Sequence, residues 1–516
     1  MIGDVFKKAS RKFSDRPALI SSKEMLTYRE LRQRVFRVCQ LFISWGMEKG
    51  EKVGVLSLNR PEYIEILFAC SLCGLTLVPL NCRLNVQELT PFIRRLRIRV
   101  LFLEEDFLMH ESVFREACPL VRHYVSFSQE SDSIPGYESL LGMHPSLEPR
   151  VSVKWEDPGC IFHTSGSTGK PKEVLWTYGN WLAGSENAIL ELGFDTNDVL
   201  LYVVPFFHIA FAWSLVCLVH TGACCVILKG FDPVEVLKTI EEHKVTIFMG
   251  TPTMIIALLQ SSPHLKKNLS RLNTLIYGGS PIPRTPLEEA LKVLGPSLVQ
   301  IYGQTELSGP ATILPKEDHL QNGKASKKLQ SCGRPMVNTE VKVFKENGEE
   351  VRTPGEIGEI RVRSHGLMAG YYEDPEATSE TIVDGWLCSG DLASFDEDGY
   401  LYIVDRKKEI IICGGENISP REVEEVIYTH PATLEAAIIG IPDDHWGEIV
   451  KALIVLKDGA KVSPEEIIFH CKANLASYKK PRSVEFLDSF PKTPLGKIDK
   501  RTLRERFWAG TERKVN

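Results

Sequence analysis

Apolar and polar positions follow two rhythms along this chain. Up to about residue 330, short continuous apolar runs recur at 52–58, 77–80, 199–204, 223–228, 245–249, 272–277 and 298–301. Between them lie stretches of helical spacing, such as the one that opens at Tyr28 and the one at 61–73. Apolar runs of strand length between helices mark parallel strands covered on both faces, so the pattern predicts an α/β fold. From about residue 337 the rhythm changes. Residues 340–344 and 358–363 alternate polar and apolar and are joined by Asn347-Gly348 and Pro354-Gly355. That predicts an antiparallel β section. Beyond Asp405-Arg406-Lys407-Lys408, a compact segment carries predicted strands at 436–441 and 451–456 and predicted helices at 421–428 and 464–474. Ser419 and Pro420 suit the cap and first turn of the earlier helix. The expected division is residues 1–405 and 406–516.

The longest apolar run, 211–228, could cross a membrane by length, but Ser214, His220, Thr221 and Gly222 interrupt it. Gly222 is expected to end a buried helix and a strand to follow, so no transmembrane segment is expected. A chain of 516 residues exceeds one ordinary core, and 43% hydrophobic with 25% charged residues is a globular balance. A net charge of −6 argues against a nucleic-acid partner. Thirteen cysteines, an odd number, and no signal peptide after Met1 predict buried thiols and a cytoplasmic location.

Candidate chemistry begins at Thr164-Ser165-Gly166-Ser167-Thr168-Gly169-Lys170-Pro171-Lys172. Small residues let backbone N–H groups close on phosphate oxygens, hydroxyls add donors and lysines neutralise charge. The loop reads as a polyphosphate cradle. It is not a Walker A loop, which needs four residues between its glycines and Ser or Thr after the lysine. Other candidates follow strands, where ligands gather in doubly wound sheets. Paired glycines in Gly278-Gly279-Ser280 permit close approach of a planar ligand. In Tyr302-Gly303-Gln304-Thr305-Glu306 a carboxylate can hold Mg²⁺ and a threonine can bond a phosphate. Asp391, in Ser389-Gly390-Asp391, is expected at a strand end, suited to accept two ribose hydroxyl protons, with Arg406 reaching ribose or phosphate oxygens. Their alternative is a surface ion pair. For His208, after Pro205-Phe206-Phe207, the alternative is a core histidine. For Lys497, after Gly496 in a proline-bounded loop, it is solvated charge. Gly414-Gly415 reads as a turn into a helix.

In this order, from Leu26-Thr27-Tyr28 to Lys497, the motifs resemble the adenylate-forming superfamily of acyl-CoA synthetases, peptide-synthetase adenylation domains and luciferases. The resemblance implies a large N-terminal domain of several subdomains with parallel sheets plus the β section, and a small mobile α+β C-terminal domain. It implies that a carboxylic acid reacts with ATP to give acyl-AMP and pyrophosphate, and that coenzyme A then takes the acyl group. Loading of a separate acyl carrier protein is the alternative, and a non-catalytic nucleotide-binding regulator is a rival of another class. The absence of a carrier domain after Asn516 favours coenzyme A over a built-in thiol. By resemblance Glu306 is the Mg²⁺ ligand, Thr305 contacts the α-phosphate, Tyr302 stacks on adenine, and Asp391 binds the ribose with support from Arg406. Gly303 and Gln304 share the nucleotide site, and Gly278, Gly279 and Ser280 line the adenine and acyl strip. His208 positions substrate, Lys497 is the catalytic lysine, Gly414 and Gly415 border the pantetheine tunnel, and Lys408 is the hinge. The chain departs from the pattern at Glu173, where glycine is usual, and at Tyr178, where histidine is common. A carboxylate near a triphosphate repels it unless directed to solvent or paired with a lysine. Acyl-pocket walls are expected from 203–214, from 250–254 and from the Gly278 strip. Phe206, Phe207, Phe211 and Trp213 suit an apolar acyl or aryl group. The expected partner is a small-molecule carboxylic acid, with a homodimer left open.

Overall fold

Two mostly parallel sheets organise the N-terminal part of the chain in a computed structural model, which describes residues 1–128, 133–164, 172–261, 269, 271–321, 324–493 and 496–508. Among the described residues one sheet has nine strands, in the order Arg334–Pro335, Thr312–Leu314, Leu298–Tyr302, Thr274–Gly278, Ile247–Gly250, Val199–Tyr202, Cys224–Ile227, Pro17–Ile20 and Met25–Thr27. Antiparallel pairing is confined to its two edges. The other has seven strands, in the order Gly370–Tyr371, Glu173–Thr177, Pro158–His163, Thr76–Leu80, Lys52–Leu56, Ile98–Leu103 and His123–Ser126. Its first two junctions are antiparallel.

Successive residues of a strand point to opposite faces, and here both faces are covered. Leu200 joins the core between the two sheets, whereas Leu201 joins the outer layer. The helices Ile2–Lys12, Tyr28–Ser44, Pro61–Cys73, Tyr178–Leu192 and Ile209–Thr221 fill the middle layer. Pro61–Cys73 is buried on all sides from Tyr63 onward, which explains its nearly unbroken apolar sequence. Its Cys70 and Cys73 stand at a Cys-x-x-Cys spacing, against the expectation that the chain has no such pair. Both are buried, and all the cysteines are free thiols. Ile209–Thr221 ends at Gly222, whose φ of 78° favours glycine, and Cys224–Ile227 follows. No helix among the described residues is long and apolar enough to cross a membrane.

The β section is an antiparallel sheet built from Thr339–Phe344, Gly358–Ser364, Trp386–Phe395, Ile382–Val383 and Leu401–Arg406. Asp391 does not end its strand, as the sequence suggests. It lies inside Trp386–Phe395 and pairs with Arg406. Gly390, at φ 72°, distorts the strand without terminating it, and Leu392 and Ala393 carry the ladder on. A third unit follows: Ile411–Cys413, Glu416–Ile418, Thr433–Asp443, Gly447–Leu456 and Ser483–Phe486 form one sheet. Helices Pro420–Tyr428 and Pro464–Asn474 cover one face and Lys500–Glu505 the other. The buried residues of both its cores all lie beyond 410.

Candidate active site

The C-terminal ends of the parallel strands in the nine-stranded sheet open onto one place. Leu298–Tyr302 ends there, and Tyr302 donates its hydroxyl proton to Asp391 Oδ2 at 2.7 Å. Gln304 Nε2 donates to the same oxygen at 2.8 Å and to the Ser389 carbonyl at 2.8 Å. Arg406 Nε stands 3.3 Å from Asp391 Oδ1. Asp391 is 5% exposed, so these donors hold a buried carboxylate in one orientation while lone pairs remain for further donors.

Lys497 comes to this carboxylate from the C-terminal unit. Thr493 and Lys497 exchange hydrogen bonds, Thr493 N to Lys497 O at 2.7 Å and Lys497 N to Thr493 Oγ1 at 3.2 Å. These contacts, with Gly496 at φ 76°, fix the backbone of the lysine. A Cβ built on Gly279 would lie 3.8 Å from Lys497 Nζ, so the Gly278-Gly279 strip and the lysine face each other. Burial lowers the Lys497 pKa to about 8; Arg406 lowers it too, while Asp391 and Glu409 oppose the shift. His208 caps the helix Ile209–Thr221 by accepting the Ala210 N–H at Nδ1, 3.2 Å. Burial and then the Lys497 charge push its pKa down to about 3, so it is neutral at working pH. Lys408 is also pushed down, by burial and then by Lys172 and Arg406. Four cations, Lys172, Arg406, Lys408 and Lys497, thus converge, which is the electrostatics of a polyanion site.

Glu306 is held from the opposite side. Tyr371 donates its hydroxyl proton to Glu306 Oε1 at 2.8 Å, and Lys172 Nζ lies 4.3 Å above the Tyr371 ring. The Thr305 carbonyl accepts from Trp176 Nε1 at 2.8 Å. Thr164 and Lys172 are joined directly: Thr164 N donates to Lys172 O at 2.9 Å, and Lys172 N donates to Thr164 Oγ1 at 3.2 Å.

A family model for the AMP-binding enzyme matches residues 6–372, and one for the AMP-binding enzyme C-terminal domain matches residues 422–497. The chain belongs to the AMP-binding enzyme family. It is 38% identical to a feruloyl-CoA synthase of Amycolatopsis sp. over 93% of this chain and 94% of that protein. It is 34% identical to the fatty acid–[acyl-carrier-protein] ligase ScoC of Streptomyces coeruleorubidus over 97% and 95%. The crystal structure of the anthranilate CoA ligase AuaEII in complex with anthranoyl-AMP superposes with a TM-score of 0.90 at 27% identity, covering 98% of this chain and 97% of that one.

Several expectations drawn from resemblance to this AMP-binding family meet a definite geometry. Tyr302, Gly303, Gln304, Thr305, Glu306, Asp391, Arg406, Lys408, Lys497, His208, Gly278, Gly279 and Lys172 share one region. Ser165, Gly166, Ser167, Thr168, Gly169 and Lys170 lie outside the described residues. Gly414 and Gly415 form a turn at φ 61° and 89°, with Gly414 against the Trp446 ring. Two departures from the family pattern prove buried, and one expectation needs correction. The Glu173 carboxylate is neither directed to solvent nor paired with a lysine. It is 1% exposed and ion-paired to Arg95 at 3.0 Å, because it and Lys172 are consecutive residues entering a strand and point to opposite faces. Burial raises its pKa and Arg95 opposes the rise. Tyr178 is buried too, donating to the Cys70 carbonyl at 2.9 Å. Phe206, Phe211 and Trp213 are core residues: Phe206 and Phe211 stack at 3.6 Å, each edge-on to Tyr63, and none of the three is more than 2% exposed. Phe207 alone of that aromatic set keeps partial exposure. Tyr371 went unnoticed in the sequence, where its only signal is a preceding glycine.

Proposed function

We propose that this chain is an AMP-forming acid–thiol ligase. A carboxylate oxygen attacks the α-phosphorus of ATP, the bond to the β-phosphate oxygen breaks, and pyrophosphate leaves. The thiol of coenzyme A then attacks the acyl carbon of the acyl-adenylate and AMP departs. The observation that carries this reading is Lys497, brought by a separate unit to face Gly279 within electrostatic reach of Asp391, Arg406 and His208.

Each residue has a share of the chemistry. Asp391, oriented by Tyr302 and Gln304, accepts ribose hydroxyl protons. Lys497 supplies a cation where charge develops on the carboxylate and the α-phosphate. Arg406 and Lys172 neutralise phosphate oxygens. Neutral His208 places the acid without adding charge. Glu306 with the Thr305 hydroxyl fits Mg²⁺, which takes one or two carboxylates and leaves the rest of its shell to phosphates and water. No cluster of three or more His, Cys, Asp or Glu side chains suited to a metal occurs among the described residues. When bound, that ion would neutralise the departing pyrophosphate.

The acid is apolar, acyl or aryl, in keeping with relatives named for feruloyl and fatty-acid substrates. A pyrophosphate-release assay over a panel of aryl and aliphatic acids, with coenzyme A or an acyl carrier protein as acceptor, tests the proposal. We expect acid-dependent pyrophosphate release and a thioester formed with coenzyme A. Thioester on the carrier protein alone would overturn the acceptor, and no release with any acid would overturn the activity.

A further inference from the structure

Behind the site, on the face of the seven-stranded sheet away from Lys172, three segments meet at one guanidinium. Arg95 is the last residue of the helix Val86–Arg95. Its Nη2 lies 3.0 Å from Glu173 Oε2 and donates to the Tyr372 carbonyl at 3.2 Å. The Tyr372 N–H in turn donates to the Glu173 carbonyl at 2.7 Å. One turn earlier in the same helix, Phe92 packs edge-on against His163 at 4.6 Å, and His163 pairs with Glu173 across the ladder. Arg95 therefore ties the strand that follows Lys172 to the strand that carries Tyr371. Those two residues bear on the site: Lys172 lies over the Tyr371 ring, and Tyr371 holds Glu306.

The carboxylate at 173 is costly to keep. Glu173 is buried, and its Oε1 has no hydrogen-bond partner among the described residues. A buried carboxylate with one cationic partner gains little stability over an apolar residue of the same size. What it does supply is a fixed geometry, since the charge-assisted contact with Arg95 fastens the strand from its far side. We propose that Arg95 and Glu173 are a positioning pair that sets Lys172 and Tyr371, and through Tyr371 the Glu306 carboxylate, for the nucleotide. Neither residue touches the substrate. The Glu173 charge is turned inward, so that the lysine beside it faces the phosphates.

The inference rests on the nucleotide reading of the site. Its test uses the whole protein, the variants Arg95→Ala and Glu173→Gln, and the double variant. Affinity for a non-hydrolysable ATP analogue with Mg²⁺ is measured at equilibrium, alongside KM for ATP, KM for the acid, and turnover of supplied acyl-adenylate with coenzyme A. In Arg95→Ala, analogue affinity and KM for ATP should weaken about tenfold, the size of one lost charge-assisted contact, with KM for the acid and the thioester step unchanged. Glu173→Gln, which keeps an acceptor for Arg95, should lose less. The double variant removes the uncompensated buried charge and so should recover melting temperature without recovering ATP affinity. Wild-type affinity in Arg95→Ala, or its recovery in step with stability in the double variant, would reduce the pair to a structural contact and overturn the proposal. Equal weakening of ATP and acid would do the same. Wild-type protein that fails to bind the analogue would overturn the nucleotide reading as well.

Discussion

The two sides of the candidate site are built differently. On the N-terminal side Asp391 is buried and held by Tyr302, Gln304 and Arg406, and Glu306 is held by Tyr371. On the C-terminal side Lys497 arrives on a short turn of a unit with its own cores. Among the described residues that unit is tied back along one strand: Arg421 Nη1 donates to the Ile403 carbonyl at 2.6 Å and Ser419 Oγ to the Val404 carbonyl at 3.1 Å. Asp405 Oδ2 accepts from Ser419 Oγ at 2.9 Å and from Arg421 N at 3.1 Å, and Glu425 accepts from Arg284 N at 3.4 Å. The difference points to the side that we propose can leave. Breaking the first side exposes unpaired buried charge, whereas detaching the second would cost the contacts gathered at Asp405, itself 7% exposed. Two steps that need different groups at one place are served by such a joint.

The sharpest way to break the comparison is at Lys497. Lys497→Ala should cut acyl-adenylate formation by ~10²–10³ and spare thioester formation from supplied acyl-adenylate. Parallel loss in both half-reactions would mean that Lys497 stays in place throughout. Lys408→Pro should do the reverse. Fixing φ near −65° at the hinge the resemblance implies would block one arrangement, so the thioester step should suffer far more than adenylation, and unchanged turnover in both would remove Lys408 from that role. On the fixed side, Tyr371→Phe removes a hydrogen bond to a carboxylate, and the Mg²⁺ concentration for half-maximal rate should rise about tenfold. A titration of rate against Mg²⁺ reads this directly.

The pH profile sharpens the contrast further. The Lys497 pKa is lowered to about 8, so its positive charge is lost as pH rises through that value. Below about 8 the ammonium is present. kcat/KM for adenylation, which reports the free enzyme, should therefore fall on the alkaline side. Lys497→Arg, charged at every working pH, should lose that alkaline limb whatever its absolute rate. The smallest effect is expected at Asp405. Asp405→Asn weakens the cap on Pro420–Tyr428 by about 1 kcal/mol and should shift the balance of the two half-reactions several-fold toward the thioester step. A loss shared equally by both would make Asp405 only a prop for the fold.

Much of this was legible in the order of residues. The parallel strands announce themselves as apolar runs because both faces are covered, and Pro61–Cys73 lies where its apolar stretch predicts. The Ser419 cap and Pro420 first turn are local chemistry and stand as read. The hairpin of Pro17–Ile20 and Met25–Thr27 escapes notice because strands of four and three residues leave too short a pattern. Tyr371 and Arg95 escape for another reason: each acts on a residue far away in the chain, and no local spacing encodes that. Phe206, Phe211 and Trp213 mislead because aromatic content alone cannot separate a pocket wall from a filled core. Glu173 could have been placed better, since period-two alternation already sets it opposite Lys172.

Eleven of the thirteen free thiols are buried, and only Cys82 and Cys388 are partly open. Burial also raises thiol pKa values, as at Cys160 and Cys217, and keeps them from becoming thiolate nucleophiles. Cys82 and Cys388 apart, the folded protein is therefore a quiet background for alkylating dyes. With both replaced by serine, a pair of cysteines introduced at 284 and 425 would carry fluorophores across the joint, and their energy transfer would report whether it opens. Cys388 offers a second reporter without any substitution, three residues from Asp391: its alkylation rate should drop when nucleotide covers that strand.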